Sequence, residues 1–231
     1  MSGSVLVLAR GLRKSFFAGA IEVPALRGVD LALREGEFAA LVGPSGSGKS
    51  TLLNLIGTLD SPTGGALEVL GRDVGALSLE ERARLRLRSL GFVFQAYNLV
   101  PVLTAVENVE FVLELQGQGR SRREAALEVL REVGLAELAD RRPAELSGGQ
   151  QQRVAVARAV VSRPRLVLAD EPTANLDGAT AESLIDLMQD LRRHHGMTFL
   201  FSTHDSRVIG HAGRVITLTD GVVTGDEARG G

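Results

Sequence analysis

Two glycine-rich segments of the chain have residue types suited to holding phosphate, and about a hundred residues separate them. The second segment, 146–150, reads Leu-Ser-Gly-Gly-Gln. The first segment combines glycines with small hydroxyl residues and one lysine. Its residues are Gly43, Pro44, Ser45, Gly46, Ser47, Gly48, Lys49, Ser50 and Thr51.

The first segment has the spacing of a nucleotide phosphate loop. Successive glycines let backbone N–H groups converge on phosphate oxygens, and the N-terminus of the following helix adds a positive dipole end. We predict that Lys49 reaches the β- and γ-phosphates and that the Ser50 hydroxyl holds Mg²⁺. A fortuitous glycine turn is the alternative, but such a turn does not require every motif position to be filled.

Asp170 and Glu171 follow four apolar residues, 166–169. A carboxylate at the C-terminal end of a parallel strand stands where such sheets place their ligand chemistry. Asp170 suits the Mg²⁺ shell, and Glu171 suits a general base that polarises the attacking water. Taken alone, two acids in a solvated turn would be the better interpretation, but the phosphate loop favours the catalytic one.

The elements that must position these residues follow from hydrophobic patterning. Short strands are predicted in the first forty residues, and the apolar run 38–42 then feeds the phosphate loop and a helix from Lys49. Further predicted elements are strands 90–94, 166–169 and 198–202, a helix 150–162 stopped by Pro164, and a hairpin at Asp220-Gly221. Ser78 with Glu81, and Ser121 with Glu124, have capping-box spacing.

In this order and spacing, the segments resemble an ABC-type ATPase, the nucleotide-binding subunit of ATP-binding cassette transporters. The resemblance covers residues 5–223. It rests on the phosphate loop, Gln95, 146–150, Asp170-Glu171, 175–177 and His204.

The resemblance implies an α/β fold: a P-loop NTPase cassette of the ABC type with a RecA-like core, an N-terminal antiparallel β subdomain and a helical signature subdomain. It implies a single domain over 1–231. Residues 1–90 and 163–231 would form the catalytic core with the β subdomain, and 96–162 the helical subdomain.

The resemblance also implies ATP and Mg²⁺ as cofactors and a role for each site residue. Glu171, His204 and Gln95 would be catalytic, with Gln95 sensing the γ-phosphate and His204 bonding to it. Mg²⁺ would be held by Ser50, Gln95 and Asp170. The adenine would stack on Phe16, although Phe17 is adjacent and a core position is the alternative for either ring.

The family resemblance further implies that a second copy of the chain completes the site. The signature residues Ser147, Gly148, Gly149 and Gln150 would act in trans on an ATP held by that copy, and Asp177 would lie at the dimer seam. Two ATP molecules would be sandwiched head-to-tail between the subunits.

Segments 23–29 and 91–109 are similar to the lipoprotein-release and macrolide-export branch, although Gly178 and Gly213 depart from the family pattern. This branch implies an integral membrane permease as partner and a cytoplasmic location, peripheral on the inner face of the cell membrane. A division-type or other non-transport ATPase that signals through a membrane partner is the alternative.

Composition limits other partners. A formal net charge of -2 gives no electrostatic reason to expect nucleic acid, and no apolar run is long enough to predict direct membrane insertion. Arginine supplies 24 of the 26 basic residues, the exceptions being Lys14 and Lys49. The alternating Arg82, Arg84, Arg86 and Arg88 predict a solvated helix face.

Overall fold

The computed structural model describes residues 3–119 and 121–229. Residues 1, 2, 120, 230 and 231 of the predicted domain lie outside the described residues. The architecture confirms the predicted fold class. A largely parallel sheet has most of the helices on one face; a second, antiparallel sheet and the helix after the phosphate loop lie on the other.

The antiparallel sheet has the strand order β2-β1-β4-β5. Its strands are β1 (Val5–Ala18), β2 (Ile21–Arg34), β4 (Gly64–Val69) and β5 (Arg72–Asp73). The prediction of short strands at the N-terminus was wrong, because β1 and β2 each run for 14 residues. Register shifts, such as the one between Ala9 and Leu12, break the alternation of side chains that would otherwise reveal a long strand.

The larger sheet has the order β10-β9-β3-β8-β7-β6, and only its β9–β10 pair is antiparallel. Its strands are β3 (Phe38–Val42), β6 (Leu90–Phe94), β7 (Leu166–Asp170), β8 (Thr198–Ser202), β9 (Arg214–Thr219) and β10 (Val222–Ala228). The predicted hairpin is confirmed: Asp220 and Gly221 have φ of 49° and 78°, and positive values at both positions suit a two-residue turn.

Two hydrophobic cores lie on opposite faces of this sheet. Phe199 and Phe201 of β8 face the helical core, whereas Leu200 between them faces the antiparallel sheet. This period of two explains why the central strands read as unbroken apolar runs, since both faces are buried. The parallel strands β3, β6, β7 and β8 all end at the same edge, which brings the loops after them together.

The helices are α1 (Lys49–Ile56), α2 (Leu79–Ser89), α3 (Ala105–Leu115), α4 (Arg122–Glu132), α5 (Gly148–Val160), α6 (Gly178–His195) and α7 (Ser206–Ile209), with 3₁₀ turns at Ala136–Leu138 and Pro143–Glu145. Helices α3, α4 and α5 pack on one another through buried residues such as Val109, Leu130 and Val154. They occupy the segment predicted as the helical subdomain.

Two sequence expectations for helices need correction. Ser78 caps α2 with a complete capping box, but Ser121 has a helical backbone and makes no side-chain cap on α4. The four alternating arginines are not equally solvated. Arg84 and Arg88 are exposed, whereas Arg82 and Arg86, one turn apart on the other face, donate to Ser61 Oγ and the Thr58 carbonyl.

Candidate active site

The glycine-rich loop 43–51 joins the C-terminal end of β3 to α1. Gly43 has φ of 152°, and Gly48 caps α1 with φ of 103°. A Cβ at Gly43 would stand 2.0 Å from the carbonyl oxygen of Leu218, and one at Gly48 would stand 2.7 Å from that of Ala25. Both positions therefore require glycine, because the loop backbone passes directly against β9 and β2.

Lys49 begins α1, and its side chain folds back over the phosphate loop. Its Nζ donates to the carbonyl oxygens of Gly43 at 2.8 Å and Pro44 at 3.1 Å. The residue is only 8% exposed. The ammonium is thus held at the loop by backbone oxygens, which the stronger, charged oxygens of a phosphate could replace.

Ser202, at the end of β8, organises the two acids at the end of β7. Its hydroxyl donates to Asp170 Oδ1 at 2.6 Å and accepts the Glu171 N–H at 2.9 Å. Ser202 is fully buried and pairs with Asp170 in the sheet register. Sequence analysis missed this residue, although its position at the end of a predicted buried strand was the available signal.

Glu171 and His204 form a pair at the sheet edge. The Nδ1 atom of His204 lies 3.1 Å from Glu171 Oε1 and 3.0 Å from Oε2. The histidine side chain is 72% exposed, and the glutamate side chain is 17% exposed. In the next turn, hydrogen bonding from Arg207 holds the pKa of Asp205 below its ordinary value and raises that of Arg207 itself.

Gln95 follows β6, and neighbouring side chains hold its loop through backbone carbonyls. Asn175 Nδ2 donates to the Gln95 carbonyl at 3.0 Å. Gln152 of α5, which is fully buried, donates to the carbonyls of Phe94 at 3.4 Å and Pro172 at 2.7 Å. Gln152 therefore ties the loop after β6 to the loop after β7, a tertiary role that its place in α5 did not predict.

These loops enclose one cavity of about 620 Å³. Its lining includes eight of the nine phosphate-loop residues and all three predicted catalytic residues. The predicted residues in the wall are Gly43, Pro44, Ser45, Gly46, Gly48, Lys49, Ser50, Thr51, Gln95, Glu171 and His204, and Ala25 and Ala174 complete it. Ser47 and Asp170 lie outside this lining: Ser47 is buried, and Asp170 accepts a hydrogen bond from Ser202. The structure thus brings the predicted residues together, while the role of each stays a prediction.

The signature segment lies apart from this cavity. Ser147 is the N-cap of α5: its Oγ accepts the Gln150 N–H at 3.3 Å, and Gln150 Oε1 accepts the Ser147 N–H at 2.9 Å. The segment is therefore a capping box as well as a predicted phosphate cradle. The first amides of a helix have no intrahelical acceptor, so the N–H groups of Gly148 and Gly149 are suited to an external anion.

Two other predicted residues also lie outside the cavity wall. Asp177 is the N-cap of α6, and hydrogen bonds from the Thr180 N–H and hydroxyl lower its pKa. Phe16 lies on β1 and is 46% exposed, with its ring near Lys14. The dimer-seam role of Asp177 and the adenine-stacking role of Phe16 both stay predictions.

Two of the other three histidines pair with single acids. His195 Nε2 lies 2.8 Å from Glu132 Oε2, and His211 Nδ1 lies 3.2 Å from Asp186 Oδ1. Within residues 3–119 and 121–229, no group of three or more histidine, aspartate or glutamate side chains could hold a metal ion by itself. In the same part of the chain, every helix is too short or too polar to cross a membrane.

The comparisons with known proteins agree with one another. A family model described as ABC transporter matches residues 26–174. The lipoprotein-releasing system ATP-binding protein LolD of Anaeromyxobacter dehalogenans is 50% identical over 94% of this chain and 91% of that protein. The macrolide export ATP-binding/permease protein MacB of Syntrophobacter fumaroxidans is 47% identical over 94% of this chain but only 31% of that protein. Among solved structures, the dimeric post-hydrolysis state of the ATP-binding cassette MJ0796 bound to ADP and Pi is similar, with a TM-score of 0.90 and 42% identity over 97% of this chain and 99% of that one.

Proposed function

Because the chain belongs to the ABC transporter family and is an ABC ATPase, we propose that two copies close around two ATP molecules and drive a separate integral membrane permease. One observation carries this proposal: the cavity that holds the phosphate loop, Gln95, Glu171 and His204 is not lined by the signature segment 146–150. One chain therefore supplies only part of a site. The dimeric state of the similar cassette MJ0796 supports the same assembly.

In this dimer each signature segment completes the site of the other chain. The free amides at the start of α5 and the Ser147 hydroxyl would contact the γ-phosphate of the ATP on the opposite copy. Asp177 would lie at the seam, where its cap on α6 keeps the start of that helix ordered. A two-fold axis between the two identical chains would close this arrangement and make its two sites equal.

The residues of the cavity also fit Mg²⁺. Ser50 and Gln95 line the cavity, and Asp170 directly precedes Glu171, which lines it too. These oxygen donors are of the kind that Mg²⁺ prefers together with phosphate oxygens. When bound, the ion would neutralise charge on the β- and γ-phosphates. Ser202 keeps Asp170 oriented for this role through its 2.6 Å hydrogen bond.

Glu171 would act as the general base, and His204 would control when its carboxylate is free. A neutral imidazole that donates Nδ1–H to Glu171 has an unprotonated Nε2, which cannot donate to a phosphate oxygen. When ATP binds, His204 therefore has to turn its Nδ1–H from the Glu171 carboxylate to the γ-phosphate. Otherwise it needs a second proton, on Nε2, to bond both groups. Turning the Nδ1–H away releases the carboxylate to accept a proton from the attacking water.

The permease would dock in an apolar groove of about 530 Å³ beside the Gln95 loop. Its walls come from α2, β6, α3 and α5 and include Leu87, Phe92 and Leu115. Arg158 lines the same groove and donates to the Tyr97 carbonyl at 2.8 Å, which connects the groove to the loop after Gln95. A helical segment of the permease seated there would place the chain on the inner face of the cell membrane.

The relatives favour transport over division signalling. The names of both relatives refer to the release or export of a molecule. One of them, MacB, is named as an ATP-binding protein and a permease together. We therefore propose lipoprotein release or macrolide-type export as the work that ATP hydrolysis drives here. The division-type alternative is not favoured.

Complementation between two inactive variants tests the shared site. Lys49→Ala removes the phosphate lysine, and Ser147→Arg blocks the signature, so each variant alone should release no phosphate above background. In a mixture, each heterodimer contains one site with an intact Lys49 and an intact Ser147. Equal mixing should therefore restore up to about a quarter of the wild-type rate.

The mixture separates the shared site from one complete within each chain. If every chain carried its own complete site, the mixture would stay as inactive as its components. That result would refute the trans role of 146–150.

A further inference from the structure

Lys14 is one of only two lysines, in a chain where arginine supplies 24 of the 26 basic residues. The other lysine is Lys49 of the phosphate loop. Lys14 is 8% exposed, so most of this residue is buried. Where arginine is the prevailing cation, a lysine at such a position indicates a need for a compact charge instead of a planar fork.

The ammonium of Lys14 connects β1 to the segment that follows α1. Its Nζ donates to Asp60 Oδ1 at 2.7 Å and to the Ser61 carbonyl at 2.9 Å. Burial by itself would raise the pKa of Asp60, but hydrogen bonds from Lys14 and the Ser61 N–H outweigh it and lower that pKa. Lys14 is thus anchored in one place by a charged and a neutral acceptor.

The same ammonium lies over the ring of Phe16, 5.0 Å from the ring centroid. This is within the range of a cation–π contact. Lys14 and Phe16 are two residues apart on β1, and their side chains meet although the strand has a register shift between Lys14 and Ser15. Phe16 keeps 46% of its surface exposed, so the ring is supported from one side and open elsewhere.

The strand pair that carries this ring reaches the phosphate loop through β2. Lys14 pairs across the sheet with Leu26, whose Cδ2 is 2.8 Å from where a Cβ on Gly48 would be. Phe16 pairs with Val23, on the same strand pair. The neighbouring Phe17 is 70% exposed and lines a different cavity, so we take Phe16 as the stacking residue.

We propose that Lys14 is a positioning residue for the nucleotide base and acts through Phe16, an inference that rests on the proposed function. The ammonium holds the ring in one orientation, so less side-chain freedom is lost when a base stacks on the open part. A planar guanidinium presents its donors in a different geometry from the compact ammonium that contacts Asp60, Ser61 and the ring.

Calorimetric titration with ADP and with inorganic tripolyphosphate tests the inference, because ADP carries a base and tripolyphosphate does not. Lys14→Met should weaken ADP binding about three- to tenfold. Binding of tripolyphosphate should change less than about twofold. In a Phe16→Ala background, Lys14→Met should have no further effect on ADP, because its route to the base is gone.

The matched control is Phe17→Ala, which should leave the affinity for both ligands unchanged. Lys14→Arg should restore little of the ADP affinity, although it keeps the charge. Three results would each overturn the positioning role of Lys14. Lys14→Met could weaken ADP and tripolyphosphate binding equally, it could leave ADP binding unchanged, or its effect could add fully to that of Phe16→Ala. Failure of the unmodified chain to bind either ligand would instead refute the proposed function, and this inference with it.

Discussion

Glu171 has a backbone that a glutamate rarely adopts. Its φ is 47°, in the left-handed region, and a non-glycine residue there costs about 1–3 kcal/mol. The Ser202 hydroxyl accepts its N–H and His204 contacts its carboxylate, so the surrounding loops keep it there. Such a costly conformation directs the carboxylate into the cavity at the end of β7.

Replacing this carboxylate with an amide should separate nucleotide binding from turnover. Glu171→Gln keeps the size of the side chain and loses the base, so we expect ATP binding to persist and phosphate release to fall at least a hundredfold. The variant should accumulate as an ATP-bound dimer, visible by size-exclusion chromatography. Glu128→Gln, at an exposed position on α4, is the control. Wild-type rates in Glu171→Gln would remove Glu171 from the role of base.

Ser202→Ala should show how much the buried Ser202 hydroxyl contributes to holding Asp170 and Glu171 in place. The change leaves Asp170 without its 2.6 Å donor and the Glu171 N–H without an acceptor, at a cost to folding of about 1–3 kcal/mol. We expect kcat for ATP to fall at least tenfold while KM changes little, because the phosphate loop is untouched. An unchanged kcat, measured at saturating ATP, would mean that the acids hold their geometry without Ser202.

At the scale of single elements, two helix starts with similar sequences provide a matched test of capping. Thr104 makes a complete capping box with Glu107 on α3, whereas Ser121, spaced likewise from Glu124, makes no side-chain cap on α4. Thr104→Ala should lower the free energy of unfolding by about 1 kcal/mol. Ser121→Ala should change it by no more than a few tenths. Chemical denaturation measures both, and equal losses would contradict the difference.

The Thr104 cap should also make α3 sensitive to acid. Hydrogen bonds from the Thr104 N–H and hydroxyl lower the pKa of Glu107 in the folded chain. The stability this adds is fully present above the unfolded glutamate pKa of about 4.3 and is lost as the pH falls through the lower, folded value.

The contact between β6 and α5 depends on one glycine. A Cβ at Gly91 would stand 2.3 Å from the Ala159 carbonyl oxygen, which is helix backbone and cannot swing away. Gly91→Ala should therefore push α5 off the sheet and cost about 3 kcal/mol or more. Gly213→Ala is the control, since its Cβ would meet nothing closer than the Phe38 carbonyl at 3.8 Å. Equal melting temperatures for the two variants would contradict this close approach.

The sequence predicted those elements whose signal is local. The phosphate loop, the buried strands 90–94, 166–169 and 198–202, and the Asp220-Gly221 turn all carry their pattern within a few residues. The length of β1 and β2 was missed because bulges break the alternation, and the Ser121 cap was overpredicted because spacing alone does not set the backbone of the cap residue. Ser202, Gln152 and Lys14 act through partners more than a dozen residues away, which no local pattern contains.

At the scale of the whole molecule, the two cores leave one sheet edge free to carry chemistry. The phosphate loop, Gln95, Glu171 and His204 meet at that edge because their strands are parallel neighbours. The signature segment begins α5, which packs in the helical core. In the same helix, buried Gln152 donates hydrogen bonds to the loops after β6 and β7. A movement of α5 in the dimer would therefore shift both loops of the chain's own site.

One added charge in the groove proposed to bind the permease should abolish permease binding without changing ATP hydrolysis. Leu115, at the end of α3, is 56% exposed and lines the groove, so Leu115→Glu should leave folding and the ATPase rate of the isolated chain unchanged. A carboxylate there would have to be desolvated by an apolar partner, so capture of the permease from detergent-solubilised membranes should be lost.

The control for the groove variant is Leu79→Glu. Leu79 is 79% exposed at the start of α2, outside the groove, and an acid suits a helix N-terminus. This variant should capture the permease as the unmodified chain does. If both variants retained it, the permease would dock elsewhere on the cassette. If both lost it, added negative charge in general, rather than the groove, would govern the association.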